Sequence, residues 1–131
     1  SYEKFAEHHG VADRIGFLGS IHHEGLPRLL AAADVMALPS KSEGLANAWV
    51  EALACGRPIV ISDVGGAREL MDRPVAGHIV PREPQAIADA IRDLIDNPPD
   101  PVAVRETALR FTWQANGDAL VTHLRALVDQ R

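Results

Sequence analysis

Short apolar runs alternate with longer amphipathic segments along the whole chain, and no other feature of the sequence restricts the fold as much. Four runs are too short for helices and are bounded by turn residues, which predicts β-strands. They are Ile15 to Leu18, Val35 to Leu38, Ile59 to Ser62 and His78 to Val80. The segments between them have the length that parallel βαβ crossovers need. The sequence therefore predicts an α/β domain with a parallel sheet of about four strands and flanking helices.

The helices are predicted from the spacing of apolar residues and from capping signals. The strongest pattern runs from Pro84 to Ile95, where apolar residues recur at the i, i+3, i+4, i+7, i+8 spacing of one helical face. The other predicted helices are Glu24 to Ala33, Ala46 to Ala54, Ala67 to Met71, Val102 to about Arg110, and a last one from Thr112 whose apolar stripe is Leu120, Leu124, Leu127 and Val128. Gly10 closes what we expect to be the end of a helix, so we expect the chain to be a fragment that begins within a fold.

The composition argues against several classes of protein. The chain has 131 residues, of which 47% are hydrophobic, and this is enough to bury a core. A formal net charge of −5 argues against nucleic acid or an anionic bilayer as the main partner. The single Cys55 cannot form an internal disulfide, and no apolar run approaches the roughly 20 residues of a membrane span. We expect a cytoplasmic protein without a transmembrane segment and without a nucleic-acid partner.

The segment from Ala37 to Pro58 carries the clearest chemical signal. A predicted strand ends in Pro39, a loop passes through Glu43, and a helix is predicted to start at about Leu45. The first N–H groups of a helix have no partner within it and can hold a phosphate, and a glycine lets the backbone approach a ligand closely. The candidates for contact with a diphosphate are Gly44, Leu45, Ala46 and Asn47.

Two carboxylates flank this predicted anion site. Glu51 lies six residues after Leu45, about 9 Å along a helix axis, and can accept hydrogen bonds from the two hydroxyls of a ribose. Glu43, at the mouth of the helix, can bind hydroxyls of a sugar attached beyond the phosphates. Each glutamate also has an alternative interpretation that needs no ligand. Ser40 and Glu43 match the Ser-x-x-Glu capping box, and a helical glutamate such as Glu51 is usually solvated.

The residues around these carboxylates resemble the retaining glycosyltransferases of family 4, two-domain enzymes with the GT-B fold. Glu43 and Glu51 have the Glu-x7-Glu spacing of that family, within the sequence PSKSEGL and before the sequence EALACGRPIV. Further blocks that resemble the family are RIGFLG and ADV upstream, and SDVGG and GHIV downstream. The resemblance covers nearly the whole chain.

The resemblance implies that residues 1–131 belong to the Rossmann-like, nucleotide-sugar-binding C-terminal domain, without the N-terminal acceptor domain. It implies that Glu43 is the catalytic-site residue that contacts the donor sugar, that Glu51 binds ribose, and that the backbone of residues 44–47 binds phosphate and sugar. By position it also implies a base pocket at Ile21 and His23, whose ordinary alternatives are packing and a surface helix start. It implies no metal and no cofactor, since a UDP- or GDP-sugar is the substrate.

The expected reaction is transfer of a sugar to an acceptor hydroxyl with retention of configuration, in polysaccharide or glycoconjugate synthesis. In relatives, an earlier strand and loop of the same domain supply the arginine and lysine that bind the diphosphate, and the N-terminal domain supplies the acceptor site. We expect neither part within residues 1–131, so we expect the isolated chain to be inactive. We also expect self-association through the apolar face of its last helix, and a full-length protein at the inner face of the membrane. Two alternatives remain: a non-catalytic module that binds sugar nucleotides, and a GT-B-like sugar-nucleotide epimerase.

Overall fold

In the computed structural model, which describes residues 1–129, three short parallel strands form one sheet. The strands are β1 (Met36–Leu38), β2 (Ile59–Ile61) and β3 (Gly77–Ile79), and their order in the sheet is β1-β2-β3. Met36 pairs with Ile59, which pairs in turn with Gly77. Parallel pairing between strands separated by helices confirms the predicted α/β class. The described sheet has three strands rather than about four.

The predicted strand from Ile15 to Leu18 is not a strand in the structure. Its backbone is extended at Ile15, with φ −118° and ψ 121°, but it pairs with no strand among residues 1–129. Ile15, Phe17 and Leu18 are 43%, 47% and 60% exposed. An apolar run favours an extended backbone, whereas a strand also needs a neighbour that satisfies its N–H and C=O groups. The sequence pattern indicated the extended backbone but could not show whether a neighbouring strand is present.

Within residues 1–129 the chain forms seven α-helices, which follow the predicted segments to within a few residues. They are α1 (Tyr2–His8), α2 (Leu26–Ala32), α3 (Asn47–Ala54), α4 (Ala67–Leu70), α5 (Pro84–Asp96), α6 (Pro101–Ala108) and α7 (Trp113–Asp129). The start of α2 is later than predicted, because residues 23–25 form a separate 3-10 turn. The Asp100 carboxylate caps α6 by accepting hydrogen bonds from the N–H groups of Val102 and Ala103, both at 3.3 Å.

The core lies on both faces of the sheet, because side chains alternate across a strand. The larger cluster packs α3, α4 and α6 on one face, and its fully buried side chains include Trp49, Leu53, Ile59, Ile61, Leu70 and Val104. On the other face, Val60 packs against Ala90 and Leu94 of α5. The sheet is therefore covered by helices on both sides, which leaves its ends as the accessible places for a ligand.

The last helix packs poorly on the rest of the chain. No residue of α7 is buried, and Trp113 is 89% exposed. The predicted apolar stripe of Leu120, Leu124, Leu127 and Val128 is also exposed. The expected apolar patch is thus confirmed, while the self-association that it suggests stays a prediction. Among the described helices, none is both long enough and apolar enough to span a membrane.

Candidate functional site

The candidate site lies at the carboxyl edge of the sheet, where open α/β folds bind their ligands. Three segments leave the sheet at this edge because its strands are parallel. We call them the β1–α3 loop (residues 39–46), the β2–α4 loop (residues 62–66) and the β3–α5 segment (residues 80–83). The β1–α3 loop contains Glu43 and leads into the helix that carries Glu51.

Hydrogen bonds fasten the β1–α3 loop to the loop beside it. The N–H of Gly66 donates to the carbonyl oxygen of Gly44 at 2.9 Å. The hydroxyl of Ser62, a buried residue, donates to the carbonyl oxygen of Ser40. Both donors follow β2 and both acceptors follow β1. The two loops therefore form one connected structure at the end of the sheet, and the folded protein holds it in place before a ligand arrives.

A glycine makes this close approach of the two loops possible. Gly65 has φ +50°, and a Cβ built on it would lie 2.1 Å from the carbonyl oxygen of Glu43 and 2.3 Å from that of Gly44. Any side chain would collide with this backbone, and the positive φ itself favours glycine. The β3–α5 segment adds a third tether, because the Nε–H of Arg82 donates to the carbonyl oxygen of Pro39 at 3.0 Å.

Glu43 is half-buried within the β1–α3 loop, and its Oε1 accepts a hydrogen bond from the hydroxyl of Ser40 at 2.8 Å. The capping-box alternative is not what the structure shows. The residue that precedes the first helical residue is Ala46, six positions after Ser40, so this hydrogen bond closes a turn inside the loop and caps no helix. The bond fixes one carboxylate oxygen and so orients the carboxylate of Glu43.

Helix α3 begins at Asn47, one residue later than the predicted helix of Ala46 to Ala54 and two residues later than the start at about Leu45 predicted for the anion site. Ala46 has φ −69° and ψ 123°, an extended conformation, and the N–H of Trp49 bonds to the carbonyl of Ala46 at 3.0 Å. The N–H groups that head the helix are therefore those of Asn47 and Ala48, and Leu45 belongs to the loop. Neither Leu45 nor Ala46 breaks a helix or offers a side-chain cap, so the local sequence could not mark this boundary.

Glu51 lies one helical turn after Asn47, about 6 Å along the axis. The buried residues of α3 are Trp49, Ala52 and Leu53, and the helical period places Glu51 and Asn47 together on the opposite side. Glu51 is half-buried there. Sequence reasoning gave Asn47 only a backbone role. The i, i+4 spacing between Asn47 and Glu51 was the signal that the side-chain amide of Asn47 lies on the same face of α3 as Glu51.

The predicted base-pocket residues lie on a separate part of the chain. Ile21 precedes the 3-10 turn of residues 23–25, and His23 begins that turn with an exposed side chain. In the described chain, the hydrogen bonds that reach the β1–α3 loop from segments distant in sequence come from Ser62, Gly66 and Arg82, and not from Ile21 or His23. The assignment of these two residues to a base pocket stays a prediction.

The charges beside the loops are partly paired. Arg68 of α4 forms an ion pair with Asp63 at 2.6 Å, and both side chains are exposed. The hydrogen bonds to the Asp63 carboxylate, together with its charge, raise the pKa of Arg68. A groove of about 530 Å³ separates the β2–α4 loop from the β3–α5 segment, and Arg68 and Arg82 both line it. Among residues 1–129, no three His, Cys, Asp or Glu side chains are placed to hold a metal ion.

Comparison with known proteins identifies the family. The sequence profile of the family described as Glycosyl transferases group 1 matches residues 1–97. The chain belongs to this family. The D-inositol 3-phosphate glycosyltransferase of Mycolicibacterium smegmatis is 36% identical to it, over 98% of the chain and 30% of the relative. The alpha-D-kanosaminyltransferase of Streptomyces kanamyceticus is 31% identical, over 90% of the chain and 32% of the relative.

Two solved structures also resemble this member of the glycosyl transferases group 1 family. It superimposes on Anabaena HepE in complex with UDP with a TM-score of 0.81 and 28% identity, covering 95% of the chain and 36% of HepE. For the sucrose-phosphate synthase of Thermosynechococcus elongatus the TM-score is 0.77 and the identity 28%, covering 99% of the chain and 34% of that protein. The chain spans about a third of the length of these relatives. The predicted resemblance to part of a GT-B glycosyltransferase is confirmed.

Proposed function

We propose that this chain is the donor-binding part of a retaining glycosyltransferase, which moves a sugar from a UDP- or GDP-sugar to an acceptor hydroxyl. The observation that carries the proposal is the joined pair of loops at the carboxyl edge of the sheet, which holds Glu43 just ahead of the first turn of α3. Membership of the glycosyl transferase family and the likeness to the UDP-bound HepE support a nucleoside diphosphate sugar as the ligand.

The proposed phosphate site consists of backbone N–H groups. Those of Asn47 and Ala48 head α3, and those of Gly44, Leu45 and Ala46 lie in the adjoining loop. When the sugar leaves, negative charge grows on the diphosphate and the sugar becomes oxocarbenium-like. Fixed N–H donors and the positive end of the helix dipole stabilise that charge more in the transition state than in the ground state. This chemistry needs no metal ion.

The two carboxylates have different proposed roles. Glu43, oriented by the Ser40 hydroxyl, contacts hydroxyls of the donor sugar and positions it for departure of the diphosphate. This positioning role does not require Glu43 to act as a nucleophile. Glu51 accepts hydrogen bonds from the ribose hydroxyls, and Asn47 on the same face of α3 offers an amide beside it. Ile21 and His23 are proposed to contact the base.

The remaining parts of the reaction are proposed for the protein as a whole. We propose that an N-terminal domain carries the acceptor site, as the family resemblance implies, and that the 131 residues alone transfer no sugar. We further propose a role in polysaccharide or glycoconjugate synthesis in the cytoplasm, with the single Cys55 as a free thiol. Product analysis of the full-length protein with a panel of UDP- and GDP-sugars tests the function. Transfer to an acceptor supports it, whereas an epimerised nucleotide sugar, or binding without reaction, supports one of the alternatives.

Replacing Glu51 by glutamine tests the ribose contact. The variant Glu51→Gln is expected to weaken UDP binding by about 1 to 2 kcal/mol, because charged hydrogen bonds to the ribose hydroxyls are lost. Calorimetric titration of the full-length protein with UDP measures the change. Glu7→Gln, at an exposed glutamate of α1, is the matched control and should leave the affinity unchanged. Equal affinities of Glu51→Gln and the unmodified protein would reject the ribose role.

A further inference from the structure

We infer that Arg82 is a positioning residue for the β1–α3 loop, holding its first residue from the far side of the sheet. Arg82 follows β3, whereas the loop follows β1, and β2 lies between these two strands. The effect of Arg82 on the binding of a sugar nucleotide rests on the proposed function. The effect of Arg82 on the loop rests on the hydrogen bonds of the protein alone.

The distance across the sheet explains why a long side chain is needed. Neighbouring strands lie about 4.8 Å apart, so β1 and β3 are separated by roughly 10 Å. Arg82, which follows β3, reaches toward the β1 side of the sheet and donates its Nε–H to the carbonyl oxygen of Pro39 at 3.0 Å. Pro39 has no N–H and cannot donate to an acceptor, so its carbonyl oxygen is the one backbone group through which a hydrogen bond can hold this residue.

Hydrogen bonds hold the backbone on both sides of Arg82. The N–H of Val80 continues the β2–β3 pairing by donating to Ile61 at 2.8 Å, and the N–H of Glu83 donates to the carbonyl of Pro81 at 2.8 Å. Helix α5 begins directly afterwards. The backbone that carries Arg82 is therefore held on both sides, and its side chain can transmit that rigidity to the loop.

The tether from Arg82 complements the two that come from the β2–α4 loop. Ser62 holds the carbonyl of Ser40 and Gly66 holds that of Gly44, so without Arg82 the loop is fastened only from Ser40 onward. The amides that follow are those proposed to bind phosphate and sugar. Because an N–H site works only when its donors are aligned in advance, loosening the start of the loop lowers affinity without removing any contact to the ligand.

Hydrogen exchange of the free protein tests the inference directly. Arg82→Met removes the donor and keeps an unbranched side chain. Arg82→Lys keeps a donor, and Arg92→Met, at an exposed arginine of α5, is the matched control. In Arg82→Met, the hydrogen-bonded amides of the joined loops, those of Ser40 and Gly66, are expected to exchange about 3- to 10-fold faster than in the unmodified protein, while those of α6 do not change. Arg82→Lys should restore most of the protection, and Arg92→Met should have no effect.

The affinity for UDP is the second measurement. Arg82→Met is expected to weaken UDP binding about 3- to 10-fold, with Arg82→Lys within twofold of the unmodified protein. Unchanged exchange of the Ser40 and Gly66 amides in Arg82→Met, or an equal acceleration in α6, overturns the inference whatever the affinity. If the unmodified full-length protein binds neither UDP nor GDP, the proposed function fails, and the exchange data still decide the role of Arg82.

Discussion

Gly65→Ala is expected to lower the affinity for UDP on the order of 100-fold. A Cβ at this position would lie 2.1 Å from the carbonyl oxygen of Glu43, so the β1–α3 and β2–α4 loops must separate by more than 1 Å. Separation breaks the hydrogen bond between Gly66 and Gly44 and displaces Glu43 and the loop amides together. Displacements of this size at a reacting centre cost about two orders of magnitude in rate, and we expect a loss of similar size in UDP affinity because the displaced amides are those proposed to hold the diphosphate.

Calorimetric titration of the full-length protein with UDP, together with a thermal melt, measures this effect. Gly117→Ala is the matched control, since a Cβ there meets no atom within 4 Å and the residue lies in the exposed helix α7. Alanine inside a helix is expected to stabilise the control by about 0.5 to 1 kcal/mol without changing the affinity. An affinity of Gly65→Ala within threefold of the unmodified protein would show that the joined loops are not the donor site.

Gly77→Ala is expected to lower the free energy of unfolding by at least about 3 kcal/mol. Gly77 begins β3 with φ +126° and ψ −144°, and it pairs directly with Ile59 of β2. A Cβ would lie 2.0 Å from the carbonyl oxygen and 2.7 Å from the nitrogen of Ile59. Both the backbone conformation and the space therefore exclude a side chain, and the pairing of β2 with β3 must open to accept one.

Thermal and denaturant unfolding followed by circular dichroism check this prediction. For a domain of this size the loss corresponds to a fall in Tm of roughly 10 °C or more. Gly16→Ala is the control, because a Cβ on Gly16 meets nothing within 4 Å and its φ is not positive. A loss below about 1 kcal/mol in Gly77→Ala would contradict the observed closeness of β3 to the backbone of β2.

Local sequence patterns were sufficient to predict the helices and strands whose burial follows from their own residues. The period of apolar residues predicted a helix from Pro84 to Ile95, and α5 spans Pro84–Asp96. The apolar run at residues 59–61 predicted β2, which is fully buried. The spacing of Glu43 and Glu51, with the surrounding blocks, indicated the glycosyltransferase family that the comparisons confirmed.

Features that depend on a partner distant in sequence could not be predicted in the same way. The extended segment at residues 15–18 has the residues of a strand, but strand formation depends on a neighbour. The start of α3 at Asn47 depends on the loop before it, whose backbone is held by Ser62, Gly66 and Arg82. These donors lie more than 20 residues from the groups they bind.

The sequence by itself determined the α/β class, the helices, the family and the pair of glutamates, because periodicity and spacing are properties of neighbouring residues. Tertiary structure alone decided where the loops meet, why position 65 must be glycine and what holds the carbonyl of Pro39. These depend on contacts between residues more than 20 and up to 43 positions apart, which exist only after parallel strands have brought their carboxyl ends to one edge.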